Sequence, residues 1–371
     1  MKVLLTATVQ SHICQFHKPL VEVLHKHDCE VHVAARDNLA EKNGLKLDFV
    51  EKVFNVPFSR SPKSTDNIKA YKQLKKIINE GQYDVIHCNT PMGGVVTRLA
   101  ARKTRKQGTK VYYTAHGFHF YKGAPKKNWI VFYPIEKIFS KITDKLITIT
   151  AEDYEFASEK VYCQVERIHG VGVDEHRYYP VDENEKRRLR TKMGYDEKQK
   201  IILCVGEFLP NKNQKMAIHM MLEVIKQYPN ALLLLAGNGP EKEKIEKEIL
   251  ECHLENNVKL LGYCTNLQDY QRIVDVSVSC SKREGLPLNI VEALLSGTPV
   301  VASDNRGHRE LIFDGENGYL VPQFHATEMS TKVEKILSDQ SMYASMSVTG
   351  RIRGLEYSTR NVSQELEHIY F

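Results

Sequence analysis

The chain has 371 residues, 42% of them hydrophobic and 26% charged; this is the balance of a globular protein, not a disordered one, and the length suits two domains. No apolar run approaches the roughly 18 residues that a membrane-spanning helix needs, and eight scattered cysteines without a Cys-x-x-Cys pair read as reduced thiols. The net charge of +6 is uneven, with 27 Lys and Arg against 17 Asp and Glu over residues 1–170 and 25 against 29 in the rest, so the first half is expected either to meet an anionic partner or to carry solvated lysines.

In chain order, residues 2–7 form a short apolar run that leads straight into polar residues. The run lacks the length and cleavage site of a signal peptide and predicts a first buried strand. A helix is expected over 16–27, a strand over 30–35, a strand over 84–88 with a helix over 93–106, and further strands over 110–115 and 145–150. The segment Gly170-Val171-Gly172-Val173-Asp174 reads as a linker, and the polar stretch 179–192 as an early helix of a second domain. The pattern then restarts, with strands expected over 201–205, 231–236, 258–261, 276–280 and 299–302. Among the helices between them is the charged run 241–251, whose Glu/Lys spacing of four suits an exposed face. Strands alternating with helices indicate parallel βα units. The expected class is therefore α/β, with two Rossmann-like doubly wound domains over 1–170 and 171–355. A final helix is expected over 356–371. Open sheets of this kind bind ligands beyond the carboxyl ends of their strands, so the strand-end loops of two facing domains would share one cleft.

The densest motif is Ser281-Lys282-Arg283-Glu284-Gly285-Leu286-Pro287-Leu288, continuing through Glu292 to Gly297. It follows an expected strand, and Pro287 suits a helix start while Gly297 suits a helix stop. Unpaired backbone N–H groups at such a helix start favour anions, and Gly285 permits close approach of a ligand. Glu284 and Glu292 lie about two turns apart on a similar face. Carboxylates are poor phosphate ligands but good acceptors for hydroxyls, so sugar and ribose hydroxyls are their natural partners. Four further blocks flank this one: Gly206-Glu207 to Lys212, Gly237-Asn238-Gly239-Pro240, Asp304 to Glu310, and Asp314 to Gly318.

Taken together, these blocks resemble the E-x7-E signature and surrounding loops of glycosyltransferase family 4, the large retaining group with the GT-B fold, and the resemblance spans most of the chain. It implies a donor site built from Gly206, Glu207, Lys212, Gly237, Asn238, Arg283, Glu284, Gly285, Leu286, Pro287, Leu288 and Glu292. Within it, Lys212 would meet the donor diphosphate, Glu284 the hydroxyls of the transferred sugar and Glu292 the ribose, while the backbone N–H groups of 285–288 would approach sugar and diphosphate. Many members carry arginine directly after the glycine of the first loop. This chain has Glu207 there, which shifts charge neutralisation to Lys212, with Arg283 or Lys282 assisting.

In the first half, Thr114-Ala115-His116-Gly117-Phe118-His119-Phe120 follows an expected strand. The resemblance assigns His116 to catalysis with Glu284 and Lys212, as a hydrogen-bonding group that positions the sugar and stabilises the transition state. The loop Thr8-Val9-Gln10-Ser11-His12 replaces the family's glycine-rich version, so Ser11 and His12, with Gly117, are the expected acceptor-side residues. Trp129, Phe132 and Tyr133 interleave with lysines, and Arg98, Arg102, Lys103, Arg105 and Lys106 form a second basic run. Together they suit an anionic membrane surface or, equally, a core helix with its lysines in water.

The resemblance is nearest to bacterial capsule and exopolysaccharide enzymes, and it implies that the final helix over 356–371 crosses back onto the first domain. It implies transfer of a sugar from a nucleotide diphosphate sugar, UDP-linked by expectation, to a saccharide or lipid-diphosphate-linked acceptor. A cytoplasmic location, peripheral on the inner face of the cell membrane, would fit. No Asp-x-Asp motif and no His/Cys ligands at metal spacing occur along the chain, so neither metal nor cofactor is expected. No strand is followed by G-x-G-x-x-G, which argues against a dehydrogenase, and nucleic-acid binding would leave the Glu284–Glu292 block unexplained. A sugar-nucleotide epimerase on the same architecture and a catalytically silent binding subunit remain as alternatives.

Overall fold

Strand β1 (Lys2–Val9) is buried at every residue after the first, as befits the middle of a parallel sheet covered on both faces. It pairs in parallel with β2 (Glu30–Arg36) on one side and β4 (Val85–Asn89) on the other, setting Leu4 beside His32 and Ile86. With β3 (Lys52–Asn55), β5 (Lys110–Ala115), β6 (Lys145–Thr148) and β7 (Gln164–Arg167) they make a seven-stranded parallel sheet in the order β3-β2-β1-β4-β5-β6-β7. A second sheet contains β8 (Ile201–Val205), β9 (Leu232–Ala236), β10 (Val258–Gly262), β11 (Val276–Ser279), β12 (Val300–Ser303) and β13 (Gly318–Val321), in the order β10-β9-β8-β11-β12-β13. Both are doubly wound α/β sheets. The strand order reverses between β1 and β4 in the first and between β8 and β11 in the second, and such reversals open the crevices where these folds take ligands.

These features come from a computed structural model that describes residues 1–42 and 44–371. The chain forms two compact units, residues 1–172 with 359–371, and residues 173–358. In the first unit, Leu4, Ala34, Leu74, Ile86 and Val111 belong to one core cluster. In the second, Cys204, Met220, Leu233, Val278 and Val301 do the same beneath the other sheet. Buried charge is paired. Asp275 accepts from Lys186 and Arg190, both at 2.8 Å, and from the backbone N–H of Ile201. Burial alone would push its carboxyl up, but the two cations outweigh that and hold it below its ordinary value.

Several local expectations change. The segment after β1 is a helix, Gln10–Phe16, and a second helix, Lys18–Lys26, starts at Pro19's turn, so the single helix expected over 16–27 is broken at His17. Edge strands β3 and β7 were not expected from the sequence, because Lys-Val-Phe-Asn and Gln-Val-Glu-Arg carry no apolar run. The helix expected over 93–106 divides into Pro91–Ala100 and Arg102–Arg105. Among the described residues, no helix is long and apolar enough to cross a membrane.

Candidate functional site

In the second unit, β8 ends at Val205 and β11 at Ser279, on either side of the strand-order reversal. The loop after β8 brings Lys212 to the loop after β11, where its Nζ donates to Glu284 Oε1 at 2.6 Å. Both groups are largely shielded, with side-chain exposures of 24% and 14%. Backbone contacts lock the two loops together. The amide of Lys282 donates to the Asn211 carbonyl and the Asn211 side chain donates to the Arg283 carbonyl, while Asn289 donates to the carbonyl of Val205. A Cβ on Gly206 would press to 3.3 Å from Lys212 Cδ, so this glycine makes room for the lysine stem. On Gly237, a Cβ would meet the Gly206 carbonyl oxygen at 2.0 Å. Gly237 thus lets the loop after β9 lie against the loop after β8.

Of the segment 285–288, Pro287 is buried and lacks an N–H, and Leu286 and Leu288 pack against a core that includes Ile290 and Leu294. Gly285 and the backbone of the helix Leu288–Leu295, for which Pro287 is the N-cap, are what this segment offers a ligand. Because that helix begins only at Leu288, Glu284 lies in the preceding loop and Glu292 one turn inside. The two carboxylates, expected about two turns apart on a similar face, thus lie one on a loop and one on a helix. Glu292 instead hydrogen-bonds to Tyr178, and burial pushes its carboxyl up to about 7 against the opposing pull of Tyr178 and Arg177. Glu207, Asn238 and Arg283 are exposed. Asn238 Oδ1 accepts from the Gly239 amide at 2.9 Å, and Lys282 Nζ lies 5.6 Å from the centre of the Phe324 ring.

Two residues gained no role from sequence. Tyr178 lies between the stretch that read as linker and the one that read as helix. His308 is buried, with Nε2 3.0 Å from Ser279 Oγ and Nδ1 against the Ser303 carbonyl. Burial lowers its pKa to about 4, and the charges of Glu284 and Lys212 both act on it. Gly307 packs so tightly that a Cβ there would sit 2.5 Å from the Gly285 carbonyl oxygen, so the loop after β12 supports the one carrying Glu284. The Gly-His pair within Asp304 to Glu310 was the available signal.

In the first unit, the ends of β1, β4 and β5 bring His12, Asn89 and His116 together. His116 Nε2 lies 3.2 Å from His12 Nε2 and 3.3 Å from Asn89 Oδ1. The Asn89 amide nitrogen donates to the Thr6 carbonyl, which fixes its oxygen toward His116. That oxygen can only accept, so the proton is on His116 Nε2, shared between Asn89 and His12. Burial lowers His116 to about 4, leaving a neutral imidazole at neutral pH. Gly117, at φ 115°, makes the turn that follows. Ser11 is buried, and both its amide and its hydroxyl are bonded to Asn38.

In the helix Lys126–Phe139, Trp129, Phe132 and Tyr133 pack beside Phe118, Phe120 and Phe156, as in the second of the two expected arrangements, and its exposed large hydrophobic residues are Ile130, Val131, Ile135 and Ile138. Arg98 is not part of a basic surface. It is buried, donates to Glu136 at 3.0 Å and lies over the Tyr113 ring. Arg105 is paired with Asp144.

Comparison with known proteins agrees with this architecture. Residues 2–150 match the family model of glycosyl transferase 4-like proteins, and residues 185–353 that of glycosyl transferases group 1. EpsD of Bacillus subtilis (strain 168), a glycosyltransferase by name, is 39% identical over 100% of this chain and 96% of its own length. The Escherichia coli UDP-Gal:alpha-D-GlcNAc-diphosphoundecaprenol alpha-1,3-galactosyltransferase is 25% identical, covering 76% of this chain and 75% of its own. Among solved structures, Anabaena Alr3699/HepE in complex with UDP aligns with a TM-score of 0.80 at 20% identity, covering 100% of this chain and 99% of that one. At that identity the likeness speaks for the fold. Whole-length identity, both family models and the order of strands in the two sheets lead to one conclusion: the chain is a GT-B glycosyltransferase and belongs to the glycosyl transferases of group 1.

Proposed function

We propose that the protein moves a sugar from a UDP-sugar to a saccharide acceptor with retention at the anomeric carbon, in the assembly of a capsule or exopolysaccharide. The observation that carries this reading is the Lys212–Glu284 pair at the strand-order reversal of the second sheet. A diphosphate competes for the ammonium of Lys212, and the carboxylate released from it accepts hydrogen bonds from sugar hydroxyls. The backbone N–H groups at the start of Leu288–Leu295 add positive potential, so the donor diphosphate is neutralised without a metal ion. Glu292 receives the ribose. His116, a neutral imidazole, hydrogen-bonds to a saccharide hydroxyl and is not a charged acid.

UDP is supported by the nucleotide in the HepE complex and by the name of the Escherichia coli relative, which also supports a lipid-diphosphate-linked acceptor. Such an acceptor resides in a bilayer. The apolar outer side of Lys126–Phe139, with the exposed Lys126 and Lys127 at its start, would hold the protein to the anionic inner face of the cell membrane from the cytoplasm.

The test is release of nucleotide from a panel of nucleotide sugars, with the anomeric configuration of the product read by NMR. Lys212→Ala and Glu284→Ala are each expected to lower turnover by roughly 100-fold or more, with unfolding midpoints close to that of the parent. Near-normal rates in both variants would overturn the site, an inverted product would overturn retention, and C2 or C4 isomers of the donor would indicate an epimerase instead.

A further inference from the structure

The fold gathers histidines that the sequence keeps apart. His12 and His17 lie on and just beyond the helix Gln10–Phe16, and His116 follows β5. One ring nitrogen from each lies within 4.8 Å of one from each of the others. The three rings are mutually tilted, with centroids 4.6 to 5.5 Å apart, and form one compact group. His17 is buried, and its Nε2 has no hydrogen-bond partner. An orphaned buried ring nitrogen is unfavourable unless something occupies it.

We propose that His12, His17 and His116 form a binding site for one transition-metal dication of the zinc class. Two imidazole nitrogens on a single tetrahedral zinc, each at about 2.0–2.1 Å, lie about 3.3 Å from one another. The His12–His116 separation of 3.2 Å already has that value. Three imidazoles with one open position form a known zinc donor set, and imidazole also suits copper and nickel. The metal replaces the proton shared by His116 and His12. That proton shifts to the far nitrogen of the His116 ring, so no net proton is released and Asn89 Oδ1 becomes a candidate oxygen neighbour.

The other grouping of possible ligands, His219, Glu248 and Cys252, has a different character. Glu248 there already accepts from Lys215 at 2.7 Å and pairs with His219, so its charge is used within the protein.

The site goes beyond the proposed transfer and is tested without it. Chelator-stripped full-length protein is titrated with Co²⁺ while visible ligand-field absorption is recorded, then with Zn²⁺ by calorimetry. The expected result is one equivalent of Co²⁺ with the intense bands of a tetrahedral site, displaced by one equivalent of Zn²⁺. His12→Ala is expected to weaken Zn²⁺ affinity by roughly 100-fold or more, and His219→Ala to leave it unchanged. His17→Ala removes a buried ring, so His12→Gln, at a more accessible position, serves as the second variant, with circular dichroism confirming its fold. Absence of a Co²⁺ spectrum, or affinity unaffected by both His12 substitutions, would show an imidazole hydrogen-bond cluster only and overturn the proposal.

Discussion

Glu292 shows how much a single side chain's surroundings decide. Its carboxyl is raised to about 7, first by burial. An acid whose pKa rises on folding binds more protons in the folded state between the ordinary carboxylate range and that value, so stability falls as pH climbs through the interval. Without ligand, Glu292→Gln is therefore expected to leave the second unit more stable at pH 8 by at most about 3 kcal/mol. The advantage should vanish near pH 4. Thermal midpoints of the two proteins across this range check it, and midpoints that run parallel would count against it. The same variant is expected to bind the donor nucleotide more weakly, since an amide accepts fewer hydrogen bonds than a carboxylate. Glu284 and Lys212 were picked out in the sequence by the resemblance of their loops to the family's, and the fold brings the two side chains together. Tyr178 was not, since it falls between the linker and the helix that the sequence suggested, and its partner emerges only on folding. The Asn38 contacts that occupy Ser11 are equally invisible along the chain.

The helix Lys126–Phe139 carries the corresponding lesson for elements. Its composition announced an amphipathic helix, but not which of two apolar sides faces inward. The inward side is set by Glu136, which meets buried Arg98, and by the three aromatics beside it. That leaves Ile130 at 74% and Ile138 at 63% exposure, spaced two turns apart on the other side. Replacing both with serine is expected to reduce cosedimentation with anionic vesicles several-fold at low salt, and to leave the unfolding midpoint nearly unchanged because neither residue is packed. Equal recovery with and without vesicles in the parent protein would defeat the membrane reading altogether. Central strands were readable from their apolar runs, as at β1 and β9. The edges β3 and β7 were not, since a strand paired on one side only tolerates Lys, Glu and Arg.

For the molecule as a whole, the governing feature is that the first unit is assembled from two separated stretches of chain. The helix Thr359–Tyr370 buries Val362, Leu366 and Ile369. Tyr370 places its hydroxyl 2.6 Å from His87 Nδ1, and Glu365 binds His169. Removing residues 359–371 would expose those contacts and leave His87 short of a partner, a loss on the order of 5 kcal/mol. The chain has a single tryptophan, Trp129, and it lies in the first unit. Its fluorescence is thus expected to report early unfolding in the truncated protein, while far-ultraviolet dichroism retains a later transition from the second unit. An unshifted fluorescence midpoint would refute this. The two-sheet plan was expected from the alternation of strands and helices, and the return of the final helix from family likeness alone. The particular partners, His87 and His169, emerge only once the chain is folded.

This threading also imposes a timetable on synthesis. The segment that closes the first unit leaves the ribosome only after residues 173–358 have emerged, so the second sheet can complete its core on the nascent chain while the first waits. Until residues 359–371 arrive, the helix Lys18–Lys26, which they cover, lies open to solvent, and a chaperone that recognises apolar helices would find its substrate there.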